Sequence, residues 1–368
     1  MKEVFSKRVT MFELFYDLVF VYMLSQATGI IHHLHHGVVS LTSFLTFIIV
    51  MVVFLNSWMV QTVYTNRFGN SSWRDITFTF IDMMIVLYLS NSFTNVQNYR
   101  VFFVVAGLLS FTLFLQYIIV LVRSSSTDDR KIASVFAKIL GFRTLCLLIG
   151  DGISGIVGDL IALIGVVGSW WAPSLTGKYT RRHPIIFSHL LERLTLLTIV
   201  TFGETIVGIS EYFSKDSFTG WSVLVFGIVA GMFYSYITEF DQLIEEHQRG
   251  ETGNRLIYLH YPILFGISLV TVALTFIHEN EANPYFAISC LYGGLLLFYF
   301  GIMISRIYNR TNVAKDSLIN YLKLGMMIIG GLVSLIYPIF EKTVIITVMV
   351  IVINIIISQM TIRQQSKN

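Results

Sequence analysis

The sequence predicts an all-α membrane protein, a polytopic helix bundle with about twelve transmembrane helices. Hydrophobic residues make up 55% of its 368 residues and charged residues only 13%, and the mean hydropathy is +0.71. The apolar residues recur in stretches of about 20, the length that an α-helix needs to cross the hydrocarbon core of a bilayer. This composition excludes a water-soluble globular protein. We therefore expect the lipid bilayer to be the main partner of this chain.

The predicted spans follow one another through loops too short to hold a soluble domain. They cover residues 11–33, 41–64, 74–93, 98–122, 131–149, 152–171, 184–210, 219–241, 256–277, 285–305, 317–337 and 342–362. The first span contains Glu13 and Asp17 and shows no small-residue cleavage site, so we interpret it as a retained helix rather than a signal peptide. With twelve spans, both termini lie on one side of the membrane.

The distribution of Lys and Arg in the loops supports this topology, because short cytoplasmic loops are rich in both residues. One side has only Arg100, Lys215 and Lys342. The side that holds the termini has Lys2, Lys7, Arg8, Arg67, Arg74, Arg123, Arg130, Lys131, Lys178, Arg181, Arg182, Arg249, Arg255, Arg306, Arg310, Lys315, Arg363 and Lys367. We therefore expect cytoplasmic termini. The net charge of +3 follows from this asymmetry, and its spread over many loops argues against a nucleic-acid partner.

Two uncommon residue types fit the same membrane interpretation. The five tryptophans lie at or near predicted span ends, where indole rings anchor helices at the membrane interface; they are Trp58, Trp73, Trp170, Trp171 and Trp221. We expect anchors here rather than rings that stack on a ligand. Cys146 and Cys290 lie in apolar stretches and are predicted to be buried thiols rather than a disulfide or a metal pair.

The two halves of the chain, 1–180 and 181–368, resemble one another. A shift of 179 residues aligns Phe12-Glu13 with Leu191-Glu192, and Gly29-Ile30 with Gly208-Ile209. A duplicated unit with an even number of spans keeps its orientation in the membrane. The sequence thus predicts two parallel six-span repeats within one integrated membrane domain.

Ionisable residues inside the predicted spans are the main functional candidates, because a charge within hydrocarbon is costly and is usually kept for a purpose. The candidates that we select from them are Glu13, Asp17, Asp82, His189, Glu192, Arg193, Glu204 and His260. Their four helices all run outward from the cytoplasm, so the set could meet around one polar cavity as a substrate or ion pathway. The alternative is structural pairing, for example of Arg193 with Asp17 or Glu192. Arg143 and Asp159, at similar depth on adjacent spans, are predicted to form a structural ion pair.

A run of histidines in the first external turn has two interpretations. Helical spacing of His32, His33, His35 and His36 would place His32 and His36 on one face, as a metal site requires. The alternative is a hydrated, titratable loop. Metal binding at this turn is therefore an open hypothesis.

Two short motifs resemble those of intramembrane proteases. Gly152-Ile153-Ser154-Gly155 matches the G-x-S-G motif of rhomboid serine proteases. A nucleophilic serine needs a histidine base within hydrogen-bond reach, yet His183 and His189 are predicted at the opposite side of the membrane. The F-Y-D sequence that ends at Asp17 likewise lacks the G-x-G-D partner of intramembrane aspartyl proteases. We therefore predict no enzyme activity and no cofactor, with the serine protease as an alternative.

Two long motifs identify a family resemblance. V-T-M-F-E-L-F-Y-D-L-V-F-V from Val9 to Val21, and S-H-L-L-E-R-L-T-L-L-T-I-V-T-F-G-E-T from Ser188 to Thr205, resemble the paired signatures of the bacterial low temperature requirement A family. The resemblance implies a multipass protein of the bacterial inner membrane, needed for growth in the cold, without an established substrate. The residues that match the family motifs are Glu13, Asp17, Gln26, His189, Glu192, Arg193 and Glu204.

These observations leave three functional classes. The leading hypothesis is a transporter of an ion or small solute, in which Asp17, Asp82 and Glu192 bind protons or cations and Arg193 acts as their partner or as an anion clamp. A cation channel built from duplicated six-span units is the second, although the sequence shows no filter-like carbonyl loop. The third is a non-transporting membrane factor that supports growth in the cold.

Overall fold

A computed structural model describes residues 7–92, 99–248, 250–278, 281–310 and 317–365. Its twelve long helices are α1 (Met11–Gly29), α2 (Leu41–Phe68), α3 (Trp73–Ser92), α4 (Tyr99–Arg123), α5 (Thr127–Gly152), α6 (Ile156–Trp171), α7 (Phe187–Gly208), α8 (Gly220–Ile237), α9 (Asn254–His278), α10 (Pro284–Ser305), α11 (Ser317–Ile336) and α12 (Phe340–Gln365). Among the predicted loop cations, Lys2, Arg249, Lys315 and Lys367 lie outside the described residues, as does the side chain of Arg363.

Within the described residues, nine helices are long and apolar enough to cross a membrane. They are α2, α4, α5, α6, α8, α9, α10, α11 and α12. The prediction of an all-α polytopic membrane protein is thus confirmed, whereas the number of spans stays a prediction. The three remaining long helices, α1, α3 and α7, carry seven of the eight ionisable residues that the sequence singles out as functional candidates.

The chain divides into two compact units. The first comprises residues 1–30, 42–194 and 247–257, and the second comprises residues 31–41, 195–246 and 258–368. Helix α7 contributes its first two turns to the first unit and the rest of its length to the second.

In the first unit, α4, α5 and α6 pack as successive antiparallel neighbours. Small residues bring α5 and α6 close together: a Cβ on Gly158 would lie 2.4 Å from the carbonyl oxygen of Gly150, and one on Gly165 would lie 2.4 Å from Cys146 Cβ. Between α4 and α5, the rings of Tyr117 and Phe136 stack with centroids 5.0 Å apart. These contacts form a rigid support beside α2, which contributes side chains to the candidate site.

In the second unit, α9 and α10 also approach closely through glycine. A Cβ on Gly266 would lie 2.5 Å from the carbonyl oxygen of Gly294, so the two backbones are nearly in contact. Helices α11 and α12 pack on each other, and α12 packs on α8. A six-residue π-helical segment, Thr238–Leu243, continues α8 beyond Ile237.

The segment between α1 and α2 is a β-hairpin rather than a helical extension. Strands β1 (Leu34–His35) and β2 (Val38–Val39) pair antiparallel, and His36 and Gly37 between them have φ values of 54° and 80°. Positive φ at both central residues is the requirement of a type I′ turn, for which glycine is favoured. The helical spacing assumed for His32 and His36 is therefore wrong, because this segment leaves the helix at Gly29.

Candidate functional site

The candidate site begins in the first turn of α1, where the chain buries a carboxylate. Thr10 caps the helix, and its backbone N–H and hydroxyl donate to Glu13 Oε2 at 2.8 and 3.0 Å. The Glu13 backbone N–H donates in turn to the Thr10 hydroxyl, which completes a capping box. This arrangement holds the Glu13 side chain against the helix start, with its other oxygen, Oε1, turned toward α7.

Asp17, one turn further along α1, is tied to two helices. Arg193 on α7 donates from Nη2 to Asp17 Oδ1 at 2.6 Å and from Nε to Oδ2 at 3.1 Å. Trp58 on α2 donates from Nε1 to Asp17 Oδ1 at 2.7 Å. Asp17 and Arg193 are 2% and 1% exposed. This pair is bidentate and desolvated, the strongest form of an Arg–carboxylate contact.

Arg193 has two further neighbours. Its Nη1 lies 3.3 Å from Glu13 Oε1, and its Cζ lies 5.2 Å from the centre of the Trp58 ring. The guanidinium therefore makes a cation–π contact as well as two ion pairs. Trp58 is fully buried, so the expectation of an interfacial anchor at this position is wrong.

His189 joins the same group, and its hydrogen bonds define its protonation state. Asn66 Oδ1 accepts from the Ile186 backbone N–H, and Asn66 Nδ2 donates to the Ile186 carbonyl oxygen, both at 2.9 Å. These backbone partners fix the amide orientation, so it is Nδ2 that faces His189 Nδ1 at 3.1 Å. Nδ1 must then accept a hydrogen bond, and the imidazole carries its proton on Nε2, which lies 3.5 Å from Glu13 Oε2 and 3.3 Å from Oε1.

We call these six residues, Glu13, Asp17, Trp58, Asn66, His189 and Arg193, the buried ion cluster. With a neutral His189, two carboxylates face a single guanidinium. The cluster therefore carries a formal charge of −1 when both carboxylates are ionised. A buried site with excess negative charge favours uptake of a proton or a cation.

A cavity in the first unit reaches the edge of this cluster. Its lining includes Lys7, Thr10, Glu13, Asp75 and Thr79. Lys7 Nζ donates to the backbone carbonyl oxygens of Thr65 and Gly69 at the end of α2. Burial lowers the pKa of Lys7 below its ordinary value, and the charges of Glu13 and Asp75 oppose that shift. Glu13 therefore borders a cavity whose lining includes the ionisable side chains of Lys7 and Asp75.

Asp82 on α3 is a second buried carboxylate in this unit. It is 0% exposed, and its hydrogen-bond donors are the Thr112 hydroxyl and Gln116 Nε2 on α4. Both described donors are uncharged. The Tyr16 hydroxyl interacts electrostatically with Asp82 and Asp17 and has no hydrogen-bond partner within the described residues. A proton or small cation at Asp82 would offset a charge that these donors only partly compensate.

The structure places the other family-motif residues away from these contacts. Gln26 is half-buried near the end of α1, and Glu192 is exposed. Glu192 lies about 100° around the helix from Arg193, because adjacent helical residues differ by that angle. Glu204 is half-buried in the part of α7 that belongs to the second unit. The structure therefore brings Glu13, Asp17, His189 and Arg193 together, and does not place Glu192 with them.

His260 lies in the second unit and is fully buried. The hydroxyl of Tyr236 lies 3.0 Å from its Nε2, and the ring of Phe240 lies 4.9 Å from the imidazole ring. These contacts connect α9 with the end of α8 and its π-helical continuation. His260 thus has an aromatic ring and a hydroxyl among its neighbours in the second unit, and its place in a polar cavity with the carboxylates stays a prediction.

The predicted ion pair between Arg143 and Asp159 is corrected by the register of α5 and α6. Gly150 packs opposite Gly158, whereas Arg143 lies two turns earlier on α5, near the level of Gly165. The Arg143 guanidinium instead turns to α2, donating to Asn56 Oδ1 at 3.0 Å and Ser57 Oγ at 3.1 Å. Each side chain of the predicted pair is on the expected helix, but the helices meet in a different register.

Among the described residues, the remaining motifs do not bring together the side chains that a metal site or a serine–histidine pair would need. Among the described residues, no three His, Cys, Asp or Glu side chains come together to hold a metal ion, including those of the histidine run. Ser154 of the G-x-S-G sequence is exposed in the turn between α5 and α6. The two histidines considered as its base have other partners: His183 Nδ1 lies 2.6 Å from Asp129, and His189 contacts Glu13.

These features define a polytopic α-helical membrane protein with a buried cluster of carboxylates, one arginine and one neutral histidine. The chain belongs to the family described as Bacterial low temperature requirement A protein (LtrA), which it matches over residues 8–356. The resemblance seen in the two sequence motifs is thereby confirmed. Comparison with curated proteins and with solved structures gave no match.

Proposed function

We propose that this protein transports an ion or small solute across the bacterial inner membrane, with the buried ion cluster as a proton- or cation-exchange site. The observation that carries the proposal is the charge balance of the cluster. Glu13 and Asp17 share Arg193 as their cation, while the hydrogen bond from Asn66 keeps His189 neutral. The excess negative charge favours binding of one more positive charge.

The exchange follows from the contacts of Asp17. Both of its oxygens accept hydrogen bonds from Arg193, so the guanidinium can leave only if another positive charge replaces it. A proton on Asp17, or a small cation between Glu13 and Asp17, supplies that charge. Release of Arg193 would then free a donor for an anionic substrate group, and rebinding would expel the proton or cation.

Asp82 is the second exchange position in this proposal. Tyr16 lies close enough to Asp82 and Asp17 for both carboxylate charges to act on its hydroxyl, so the two carboxylates lie near one shared side chain. Glu192, which the sequence suggested as a third, faces the outside of the described structure. It therefore has no role in the exchange and serves as a control position.

The proposal includes the orientation in the membrane. The excess of Lys and Arg on one side of the predicted topology supports cytoplasmic termini. The cavity that reaches Glu13 is lined by Lys7 and Asp75, which belong to segments predicted on that side. Protons or cations would therefore enter the cluster from the cytoplasm.

Ion flux into liposomes tests the proposal. Purified protein is reconstituted with an internal pH-sensitive dye, and proton and sodium entry are followed under imposed pH, sodium and voltage gradients. We expect saturable flux that falls at least about tenfold in Asp17→Asn and in Asp82→Asn, which corresponds to a transport barrier higher by about 1.4 kcal/mol. Glu192→Gln, which removes an exposed carboxylate from α7, should keep flux near the wild-type value.

Other outcomes identify the alternative functions. Uncoupled, voltage-driven flux that does not saturate would indicate a cation channel. Normal growth in the cold with alanine at both Asp17 and Glu204, in protein that still folds, would favour a non-transporting membrane factor. Either result would overturn the exchange mechanism.

A further inference from the structure

A second polar cavity lies in the second unit, where α8 continues as the π-helical segment Thr238–Leu243. π-helical turns are rare and are frequent at functional sites. The cavity is bordered by this segment, by the end of α10, by the first turns of α11 and by the last turns of α12. We propose that it binds a phosphate-type oxyanion, supplied by a phospholipid headgroup or by a soluble phosphate.

The charges that line the cavity favour an anion. Arg306 and Lys323 both line it, and Glu239 is the only carboxylate among the lining residues that the structure describes. Lys323 is close enough to Arg306 and Glu239 for their charges to interact. Two cations and one carboxylate leave one positive charge in excess. An oxyanion would therefore remove a repulsion that the described residues only partly offset.

The carboxylate of Glu239 does not satisfy every hydrogen-bond donor of the Arg306 guanidinium. Glu239 accepts a hydrogen bond from Asn309 Nδ2 at 2.6 Å, while Arg306 Nε stays 3.9 Å from its other oxygen. Arg306 Nη1 donates to Asn320 Oδ1. Arg306 is buried, with only 9% of its surface exposed, yet its Nε has no hydrogen-bond partner within the described residues. If the only role of Arg306 were an ion pair with Glu239, we would expect its Nε to lie within hydrogen-bond distance of the carboxylate.

A second buried donor has the same property. The Thr238 hydroxyl lines the cavity, is buried, and has no hydrogen-bond partner among the described residues. Buried polar atoms in native proteins are nearly always hydrogen-bonded. Two orphaned donors beside one cavity, Arg306 Nε and Thr238 Oγ1, therefore point to a ligand with acceptor oxygens.

Further donors are available around the same space. Lys323 Nζ donates one hydrogen bond to Ser358 Oγ at 2.5 Å and has two more N–H groups. The Tyr234 hydroxyl accepts from Gln359 Nε2 at 2.8 Å, which leaves its own hydrogen to donate. A tetrahedral oxyanion offers acceptor oxygens in several directions and so matches this set.

The rest of the lining is apolar and includes Ile302, Met303, Leu324, Ile355 and Ile362. A phospholipid would place its phosphate on the cations and its glycerol and acyl groups on this wall, as basic pockets between transmembrane helices do. A soluble phosphate would use only the polar end. The experiment separates these two sources.

Binding is measured on the full-length protein in detergent, in two arms. The first uses radiolabelled inorganic phosphate in a scintillation proximity assay. The second uses native mass spectrometry with phosphatidylglycerol, compared with phosphatidylcholine. We expect binding in at least one arm, weakened about tenfold or more by Lys323→Gln. Lys342→Gln removes the same charge from α12 at a site beside the Tyr337 ring, outside the cavity, and should bind like the wild type.

Tyr234→Phe provides a second test, because it removes one donor from a partly exposed position and leaves charge and packing unchanged. It should weaken binding measurably, and it decides the question if Lys323→Gln does not fold. The proposal is overturned if neither probe binds, if Tyr234→Phe and Lys323→Gln bind like the wild type, or if Lys342→Gln loses as much affinity as Lys323→Gln. Because binding rather than flux is measured, the result does not depend on the exchange mechanism of the first unit.

Discussion

At the scale of single residues, hydrogen-bond direction determines the charge of the buried ion cluster. A backbone N–H can only donate and a carbonyl oxygen can only accept, so Ile186 fixes the Asn66 amide. The amide then requires an unprotonated Nδ1 on His189. A residue that makes no contact with Asp17 or Arg193 thus sets the charge of the group to which they belong.

Removal of Arg193 should be strongly destabilising. Arg193→Met leaves Asp17 and Glu13 buried without their cation, which costs about 3–5 kcal/mol. The double variant Arg193→Met/Asp17→Asn should recover part of that loss, since one uncompensated charge is gone. Unfolding in mixed micelles with increasing SDS measures both. Additive effects in the double variant would show that the two residues do not interact.

The tautomer of His189 is directly measurable. In ¹⁵N-labelled protein at neutral pH, the His189 Nδ1 signal should show the shift of an unprotonated nitrogen. Asn66→Asp replaces the donor with a carboxylate, and it should convert His189 to the doubly protonated form. His189→Gln assigns the signal. A protonated Nδ1 in the wild type would contradict the charge balance on which the exchange site depends.

At the scale of elements, α1 and α7 run parallel within the first unit. Glu13 pairs with His189 and Asp17 pairs with Arg193, so partners keep the same separation of 176 residues. On α1, Glu13 and Asp17 are four residues apart, as are His189 and Arg193 on α7, so each two residues lie on one face of their helix. Parallel direction is what the predicted topology requires of the first and seventh spans. Their polar faces also explain why these helices are less apolar than the nine clear candidates.

The close approach of α9 and α10 should tolerate no side chain at Gly266. Gly266→Ala places a methyl group 2.5 Å from the Gly294 carbonyl oxygen, so the helices must separate, at a cost of about 1–3 kcal/mol. Gly293→Ala, on the neighbouring position of α10, meets nothing within 4 Å and should be neutral or slightly stabilising. Thermal unfolding in detergent compares the two. Equal stability would show that the backbones are not in contact.

At the scale of the whole molecule, the number of spans depends on whether α1, α3 and α7 cross the membrane together with the nine long apolar helices. We expect that they do, because Glu13, Asp17, Asp82, His189 and Arg193 are all turned inward and buried. Single cysteines replacing Arg100, Lys215 and Lys342 should then react with a membrane-impermeant maleimide in intact cells. Cysteines replacing Arg123 and Lys178 should react only after permeabilisation. Labelling of both sets in intact cells would indicate that fewer than twelve helices cross the membrane.

The sequence by itself determined the all-α membrane architecture, because hydropathy and helix length depend only on local composition. It also predicted the polar faces of α1 and α7, since four-residue spacing places Glu13 with Asp17 and His189 with Arg193. Only the tertiary structure decided which side chains meet. Trp58, predicted as an anchor, binds Asp17; Asn66, which no motif marks, sets the tautomer of His189; and Glu192 faces outward. Helix rotation and register choose partners across the bundle, and these depend on packing between segments far apart in the chain.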